Sequence, residues 1–299
     1  MNVQVQKSFE SPSGVATQAG YGTLFLVGTP IGNLEDMTYR AVRTLQEVDI
    51  IAAEDTRQTR KLLTHFDISP GKLLSYHEHN KAASGPELIR FIIEGKNLAL
   101  VSDAGLPAIS DPGSDLVKLA LEAGISVVPV PGANAALSAL IVSGLPTERF
   151  TFLGFLPRDH KEREKLLKSL EDQEGTMLMY ESPHRLIKTV ESLLEVWGNR
   201  RIVLARELTK RYEEMARGTI QDCLAWLQEH PPLGEYCLVV EGAHPDQVKE
   251  KRDAWWQQMT IEEHVRHYET EEGLTRKEAM KKTAADRGVA KREIYNQLI

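Results

Sequence analysis

The sequence predicts an α/β protein in which two α/β domains precede a small all-α C-terminal module. Three observations support this prediction. Short apolar runs alternate with segments of helical spacing as far as Val240, a pattern typical of strands and helices around a mostly parallel sheet. A long loop rich in Gly and Pro follows the apolar run Leu98–Val101. The strand-like runs then stop at Ala243.

The first half of the chain contains five apolar runs that we predict to be strands. Each is short and is followed by turn residues, as buried strands are. They are Thr23–Val27, Asp49–Ala53, Lys72–Tyr76, Leu98–Val101 and Ile125–Val128. Helical spacing or start signals predict helices at Met37–Leu45, from Thr56, from the capping box Ser84/Glu87 to Ile93, at Ser114–Ala120 and at Ala133–Val142.

A second set of elements begins near Phe150, and we expect the domain boundary between Ser143 and Glu148. The predicted strands are Phe150–Phe155, Thr176–Tyr180, Arg201–Ala205 and Tyr236–Val240, and the predicted helices are Asp159–Leu170, which is strongly basic, and Thr219–Gln228. The resulting division is a flexible tail at 1–20, an N-terminal α/β domain at 21–145, a C-terminal α/β domain at 146–245 and a helical module at 246–299.

The helical module is predicted to contain three short helices. Thr260/Glu263 and Thr275/Glu278 are capping boxes, and the last helix begins near Ala290. From Leu274 to the end, seven Lys or Arg stand against three Asp or Glu, a net charge of +4. The segment therefore fits a helix-turn-helix-like module that contacts RNA, and it fits a solvated helical appendage equally well.

Composition and charge bound the class of protein. The chain has 299 residues, of which 41% are hydrophobic and 26% charged, and its net charge of −7 argues against non-specific coating of nucleic acid. Its two cysteines, Cys223 and Cys237, form no CxxC motif, so we expect a cytoplasmic protein in a reducing compartment. The first twenty residues lack the apolar core of a signal peptide. The uncharged stretch Ala123–Thr147 is broken by Pro129–Gly132, which argues against a membrane span.

The loop after Leu98–Val101 is the strongest candidate for a binding site. The stretch reads LALVSDAGLPAISDPG, and a strand, a rigid loop and a helix in succession hold ligands at the carboxyl end of a parallel sheet. A purely structural turn is the alternative. Gly28 and Gly32, with the acidic Glu54 and Asp55, form only half of a dinucleotide-binding pattern, so a nicotinamide site is disfavoured.

Charged residues also follow several other predicted strands. His77-Glu78-His79 lacks a clear third ligand, so we expect no metal and favour a role in hydrogen bonding or substrate contact. Two further sets contain Arg or Lys and would suit a substrate that carries phosphate. These sets are Glu181, His184 and Arg185, and Arg206, Glu207 and Lys210.

Seven motifs in uninterrupted order point to one known family. They are GTLFLVGTPIGNLEDMTYRA, AAEDTRQTRKLL, SYHEHN, LVSDAGLPAISDPG, VPVPGANAALSAL, YESPHRL and ARELTK with YEEMARGT downstream. Together they span about Gly22 to Gly242 and resemble the ribosomal RNA small subunit methyltransferase I family. Gly273–Tyr295 also resembles the C-terminal helices of that family, less sharply.

The resemblance implies a two-domain fold of the tetrapyrrole methylase type, the class III methyltransferase fold. It implies that S-adenosylmethionine binds in the cleft between the domains. It further implies transfer of the methyl group to the ribose 2′-oxygen of cytidine 1402 in the decoding region of 16S rRNA. The expected partners are the 30S small ribosomal subunit and a second copy of the chain in a cytoplasmic homodimer, with no membrane association.

The resemblance also implies site residues. The cofactor-binding residues are Asp103, Ala104, Gly105, Pro107, Ser110, Asp111, Ala133, Ala135, Tyr180 and Ala205. No motif assigns the catalytic roles, and our own hypothesis places Glu181, Glu207 and Lys210 near the reacting hydroxyl. The candidate substrate-binding residues are His77, Asn80, Arg158, His184, Arg185 and Arg206. Local basic groups, above all on the Asp159–Leu170 helix and in the C-terminal module, would offset the negative net charge toward RNA.

Three rival functions remain open at this point. A tetrapyrrole C-methyltransferase would share the fold, but YESPHR, PGANAA and the basic C-terminal segment argue against it. A non-catalytic ribosome-assembly factor would use the fold as a scaffold, but the intact loops at Asp103 and Gly132 argue against that. A nicotinamide oxidoreductase is the most distant alternative.

Overall fold

Apolar runs of the first 240 residues form two five-stranded sheets. The structure is a computed structural model that describes residues 6, 20–246, 248, 256 and 259–298. Most of the predicted tail at 1–20 therefore lies outside the described residues. One compact unit comprises the described residues of 1–168 together with 175–241, and a second comprises 169–174 with the described residues of 242–299.

The first sheet is parallel throughout. Its strands are β1 (Thr23–Val27), β2 (Ile50–Ala53), β3 (Lys72–Ser75), β4 (Leu98–Val101) and β5 (Ser126–Val130), in the order β3-β2-β4-β1-β5. The helices that connect or follow them are α1 (Tyr39–Glu47), α2 (Thr56–His65), α3 (Lys81–Ile93), α4 (Gly113–Glu122) and α5 (Ala135–Ser143). All five predicted strands are confirmed; β1 and β4 match the predicted ranges, and the ends of the other three differ by at most two residues.

Burial on both faces explains why these strands are continuous apolar runs. Ile50 and Ala52 of β2 enter one hydrophobic cluster, whereas Ile51 and Ala53 enter the cluster on the opposite face. Every residue of β2 and of β4 is buried. Parallel sheets covered by helices on both faces have this composition.

The predicted start of α3 is wrong. Ser84 and Glu87 lie inside the helix, which begins at Lys81. The amide of Asn80 explains the earlier start, because its Oδ1 accepts the His77 N–H at 2.8 Å and its Nδ2 donates to the Ser75 carbonyl at 3.1 Å. These bonds close the turn after β3, and the chain enters the helix directly.

The second sheet is mixed, so the expectation of a mostly parallel sheet is wrong for this half. Its strands are β6 (Phe150–Phe155), β7 (Thr176–Glu181), β8 (Arg201–Arg206), β9 (Glu214–Thr219) and β10 (Tyr236–Val240), in the order β6-β7-β10-β8-β9. Only β6 and β7 pair in parallel, and β10 is antiparallel to both of its neighbours. Consequently β7 and β8 run in the same direction and end at the same edge.

Helices of this half are α6 (His160–Ser169), α7 (Pro183–Trp197) and α8 (Ile220–Glu229). Neither α7 nor β9 was among the predicted elements. α5, from the first half of the chain, packs on the second sheet, where Ala136, Ala139 and Leu140 join a hydrophobic cluster with Leu178 and Val203. Residues of both α/β halves therefore contribute to one hydrophobic cluster within a single compact unit.

The second unit contains the three predicted short helices α9 (Ile261–Glu271), α10 (Arg276–Asp286) and α11 (Lys291–Gln297). Both predicted capping boxes are present. Val265, Tyr268, Met280 and Ile294 form its apolar core. Among the described residues, no helix is both long and apolar enough to cross a membrane.

Candidate active site

The loop after β4 is held in one conformation by its own polar groups. The carboxylate of Asp111 accepts the N–H groups of Ala108 at 2.8 Å and Gly113 at 2.7 Å. Burial raises the pKa of Asp111, although these two N–H groups act in the opposite direction. Gly105 exchanges two backbone hydrogen bonds with Thr29, at 2.9 and 3.1 Å, so the loops after β1 and β4 are joined.

Glycines bring backbone close to backbone at this edge of the sheet. A Cβ on Gly28 would lie 2.8 Å from the Cα of Gly132, so the loops after β1 and β5 approach within contact distance only without side chains there. Gly105 has φ +81°, and a Cβ on it would lie 3.4 Å from the Ala133 carbonyl oxygen. The result is a cradle of backbone beside the carboxyl ends of β1, β4 and β5.

A cavity of about 420 Å³ opens at this cradle and is bounded by both sheets. Its size lies in the range of small-molecule sites. Residues from the first half that line it are Ile31, Glu54, Ser102–Leu106, Ile109–Asp111, Asn134 and Ala135. Residues from the second half are Phe155, Tyr180–Ser182, Ala205, Glu207, Leu208, Lys210 and Glu235–Cys237.

Most residues that the resemblance assigns to the cofactor lie on this cavity. Eight of the ten line it: Asp103, Ala104, Gly105, Ser110, Asp111, Ala135, Tyr180 and Ala205. Pro107 is buried within the loop, and Ala133 contributes the carbonyl beside Gly105, but neither lines the cavity. Their roles as ligand contacts stay predictions.

An aromatic wall forms one side of the cavity. The ring of Tyr180 lies 5.0 Å from that of Phe152 and 5.6 Å from that of Phe155, measured between centroids, and the rings meet at tilted or edge-on angles. Burial is the main cause of a raised pKa for Tyr180, so its phenol stays protonated near neutrality. Offset or tilted arrangements of this kind are the stable ones for aromatic pairs.

Glu181 lines the cavity, but its carboxylate is bonded to residues at the end of β7 and in α7. Its Oε2 accepts the Thr189 hydroxyl at 2.6 Å and lies 3.3 Å from an Arg185 nitrogen, and its Oε1 accepts the Ser182 N–H at 2.8 Å. The side chain is fully buried. This carboxylate ties the end of β7 to the start of α7.

Glu207 and Lys210 form a charged network with Glu235. Lys210 Nζ lies 3.0 Å from Glu207 Oε1 and 2.7 Å from Glu235 Oε2, and Glu207 Oε1 also accepts the Glu235 N–H at 2.9 Å. Burial opposes ionisation of Glu207, but these bonds prevail and lower its pKa. Burial likewise opposes the charge of Lys210, yet its two carboxylate partners raise its pKa.

Backbone strain accompanies this network. Glu207 and Thr209 have φ of +48° and +67°, a conformation that costs non-glycine residues about 1–2 kcal/mol each. The loop after β1 packs against Lys210 of this network, because a Cβ on Gly32 would clash with Lys210 Cγ. Strain that is held by surrounding contacts is a feature of functional sites.

Three of the predicted substrate-binding residues meet at a second cavity, of about 680 Å³. Arg158, His184 and Arg185 line it together with His160, Arg163, Lys188, Glu191, Ser192 and Glu195. Arg163 is buried, and its hydrogen bonds go to the Ser192 hydroxyl and to two backbone carbonyls rather than to a carboxylate. The basic groups outnumber the two carboxylates.

The structure places the other three predicted substrate-binding residues apart from both cavities. The side-chain amide of Asn80 is hydrogen-bonded within the turn after β3, as described above. His77 lies in the same turn, and its Nδ1 is buried with no hydrogen-bond partner among the described residues. Arg206 pairs with Glu214 at 3.1 Å and donates to the Leu233 carbonyl at 2.8 Å.

The sequence reasoning missed several cavity-lining residues. Glu54 entered it only within the incomplete dinucleotide pattern, and Ile31, Ile109 and Phe155 were not singled out for the site. A usable signal was present for Glu54, because it directly follows the buried strand β2 and therefore lies at the same sheet edge as the loop after β4. The apolar residues carried no such signal.

The residues present fit S-adenosylmethionine. The backbone cradle is closely packed, since a Cβ on Gly105 would lie only 3.3 Å from Ile31 Cγ2, the aromatic wall suits a flat base, and Asp103 supplies a carboxylate for a cationic ligand. Among the described residues, no group of three or more His, Cys, Asp or Glu is placed to hold a metal ion. Cys223 and Cys237 are buried free thiols.

Comparisons with known proteins agree with this geometry. Residues 23–224 match the family model of tetrapyrrole (corrin/porphyrin) methylases. A protein from Halalkalibacterium halodurans named ribosomal RNA small subunit methyltransferase I is 56% identical over 92% of this chain and 94% of its own length. A protein of the same name from Bacillus subtilis is 54% identical over 92% of this chain and 93% of its own.

A solved structure shares the fold. The uroporphyrin-III-C-methyltransferase from Thermus thermophilus matches 77% of this chain and 97% of its own, with a TM-score of 0.51 and 23% identity. The family model and the relatives match most of the chain, including the loop after β4 and the ends of β7 and β8. The chain therefore belongs to the tetrapyrrole methylases and, within them, to the ribosomal RNA small subunit methyltransferase I family.

Proposed function

We propose that this protein transfers the methyl group of S-adenosylmethionine to the ribose 2′-oxygen of cytidine 1402 in the decoding region of 16S rRNA. The observation that carries the proposal is the identity of 56% and 54% with two proteins named ribosomal RNA small subunit methyltransferase I, each across 92% of the chain. The cavity between the two sheets supports it with a site of suitable size and chemistry.

The cofactor is proposed to lie in the 420 Å³ cavity, with its polar ends on the loop after β4 and its base against Tyr180. The residues that would hold it are Asp103, Ala104, Gly105, Pro107, Ser110, Asp111, Ala133, Ala135, Tyr180 and Ala205. When bound, it supplies a methyl carbon already activated by the positive sulfonium.

The residues of the chain then act chiefly by positioning. Holding a hydroxyl in line with the methyl carbon can supply about 7–11 kcal/mol of the barrier reduction. We place Glu181, Glu207 and Lys210 near that hydroxyl. Glu181 is bonded to Thr189 and Arg185, and Glu207 is paired with Lys210, which supports a fixed cavity wall at this position.

The RNA is proposed to run along the second cavity. Arg158, Arg185 and Lys188 offer positive charge to backbone phosphates, and His184 lies beside them, although the whole chain carries a net charge of −7. The ion pair between Arg185 and Glu181, which lines the first cavity, connects the two sites. His77, Asn80 and Arg206 are proposed as further substrate contacts, reached by RNA beyond the target nucleotide.

The remaining assignments complete the proposal. We propose 16S rRNA in the 30S subunit as the substrate, a cytoplasmic homodimer as the assembly, and the domain boundaries given above. Exposed apolar side chains on α5, Leu137, Ile141 and Val142, support a contact with a second copy. Light scattering of the wild type and of Ile141→Asp tests the dimer, and the variant is expected to be monomeric.

The test of the function is a labelling experiment with purified protein. It is incubated with methyl-labelled S-adenosylmethionine and, in separate reactions, naked 16S rRNA, 30S subunits or a porphyrinoid precursor. Label on the 2′-oxygen of cytidine 1402 in 30S is the expected result. Label in the porphyrinoid would support a tetrapyrrole methyltransferase instead, and RNA binding without any label would support an assembly scaffold.

A further inference from the structure

Six carboxylate side chains line the 420 Å³ cavity, and most of them are hydrogen-bonded or ion-paired to other groups of the protein. Asp111 holds its own loop, Glu181 is bonded to Ser182, Thr189 and Arg185, and Glu207 and Glu235 share Lys210. Each of these four carboxylates is already bonded to donors of the protein itself. Glu54 and Asp103 remain.

Glu54 and Asp103 differ in how firmly they are engaged. Asp103 Oδ1 accepts the Asp55 N–H at 2.9 Å, a bond of ordinary length. Glu54 Oε2 is 3.4 Å from the Asp103 nitrogen, a long and therefore weak hydrogen bond, and its other oxygen has no hydrogen-bond partner among the described residues. Glu54 thus has the least committed carboxylate on the cavity.

The position of Glu54 in the fold places its carboxylate at the cavity. It follows Ala53, the last residue of the buried strand β2, which pairs with β4 in register, Ala53 beside Val101. The residue is half-buried and lines the cavity beside the loop after β4. A rigid strand therefore holds the carboxylate at the edge where the cofactor loop begins.

The groups that face Glu54 favour its protonated form on balance. Burial is the largest cause of its raised pKa; the Asp103 N–H opposes it, the Asp103 and Asp111 carboxylates add to it, and His77 opposes it. These neighbours come from the loop after β4 and from the turn after β3. A carboxylate whose pKa lies above its ordinary value binds a proton more strongly than an ordinary one and is the better general base.

We propose that Glu54 is the general base of the methyl transfer, a role that rests on the proposed function. The carboxylate takes the proton of the ribose 2′-hydroxyl while the oxygen forms its bond to the methyl carbon. The carbon–sulfur bond breaks, and its electron pair stays on sulfur, which becomes a neutral thioether. The products are the 2′-O-methylated nucleotide, S-adenosylhomocysteine and protonated Glu54.

The test compares wild type with Glu54→Gln, Glu54→Asp and the control Asp49→Asn. Asp49 precedes the same strand β2 at its opposite end, outside both cavities. Single-turnover methyl transfer to 30S is measured as a function of pH, and binding of S-adenosylhomocysteine is measured by calorimetry. Glu54→Gln is expected to slow transfer by about 10²–10⁴-fold and to abolish the rise of rate with pH on the acidic limb.

The control and the second variant keep the result interpretable. Binding of S-adenosylhomocysteine should change less than twofold in Glu54→Gln, Glu54→Asp should recover part of the rate, and Asp49→Asn should match wild type. A Glu54→Gln rate within fivefold of wild type, or a parallel loss of S-adenosylhomocysteine affinity, overturns the assignment. Absence of transfer by wild type would instead overturn the proposed function, and this role with it.

Discussion

The two walls of the cavity are built on different principles. The first sheet contributes backbone in close contact, through Gly28, Gly105 and Gly132, together with the weakly engaged carboxylate of Glu54. The second sheet contributes charges that are bound to one another, as in the network of Glu207, Lys210 and Glu235. The contrast suggests that one wall receives the ligand and the reacting proton, whereas the other fixes the shape of the site.

The largest effect on stability is expected from Glu181→Ala in the second wall. Removing this buried carboxylate takes the acceptor from the Thr189 hydroxyl and leaves the Arg185 charge with backbone carbonyls alone, and breaking a buried ion pair costs about 3–5 kcal/mol. Urea unfolding measures the loss. The matched control is Glu235→Ala, whose side chain is 83% exposed and whose loss should leave the midpoint unchanged. Equal midpoints for both variants would contradict the description of this wall.

A smaller effect is expected where the first wall is packed backbone against backbone. Gly28→Ala would push a methyl group to 2.8 Å from the Gly132 Cα, and relief of such overpacking costs about 1–3 kcal/mol. Gly124→Ala meets open space at φ +70°, so only backbone strain of about 1 kcal/mol applies.

Calorimetry should separate these two glycine variants further. Gly28→Ala is expected to weaken binding of S-adenosylhomocysteine at least tenfold because it displaces the cradle, whereas Gly124→Ala should leave binding unchanged. If both variants bind as wild type does, the backbone cradle has no part in holding the cofactor.

The next prediction concerns the basic cavity. Lys188→Gln should lower the slope of log affinity for 30S against log salt concentration by about 0.7–0.9, the contribution of one phosphate contact. Lys118→Gln removes the same charge from α4, where the lysine is 77% exposed and outside both cavities, so its slope should equal that of wild type. Identical slopes for the two variants would argue that net charge, not this cavity, governs RNA binding.

The smallest effects are changes of stability with pH, and they have opposite signs in the two walls. The pKa of Glu207 is lower in the folded protein than the value of about 4.3 for an unfolded chain, so its ionised carboxylate stabilises the fold at pH values above about 4.3. This contribution is lost as the pH falls through the folded pKa. The raised pKa of Glu54 has the opposite effect, because ionising its carboxylate at pH values above the unfolded pKa destabilises the fold.

Urea midpoints at pH 7 and pH 4 would measure this difference. Glu207→Gln should be less stable than wild type at pH 7 and closer to it at pH 4. Glu54→Gln should be more stable than wild type at pH 7 and equal to it at pH 4. A Glu54→Gln variant that is destabilised at pH 7 would show that the carboxylate is needed for folding rather than held there against its solvation.

Sequence reasoning located the first wall well because local signals define it. A buried strand followed by Gly and Pro is visible in LALVSDAGLPAISDPG, and eight of the ten residues expected to hold the cofactor line one cavity. The strand ends at Glu181 and Arg206 were also found, and they do lie at the same edge because β10 keeps β7 and β8 in one direction.

The rest depends on contacts between distant segments. β9 reads EMARGT, a mostly polar edge strand without the apolar run that marks a buried one. The packing of α5 on the second sheet, and the pairing of Lys210 with Glu235 across 25 positions, have no local signature. The role of Asn80 in starting α3 was hidden as well, because a capping box four residues later gave a competing signal.

The place of β10 has a consequence for synthesis of the chain. Among the strands of the described residues it is the last to be made, yet it lies in the middle of its sheet, between β7 and β8. The first sheet is complete once residue 130 has emerged, and domains generally fold as they appear. The second sheet remains two unjoined pairs, the parallel β6–β7 and the antiparallel β8–β9, until residues 236–240 arrive. The nascent chain can therefore form its backbone cradle early, whereas the wall that the second sheet contributes to the cavity is complete only after residue 240 has been made.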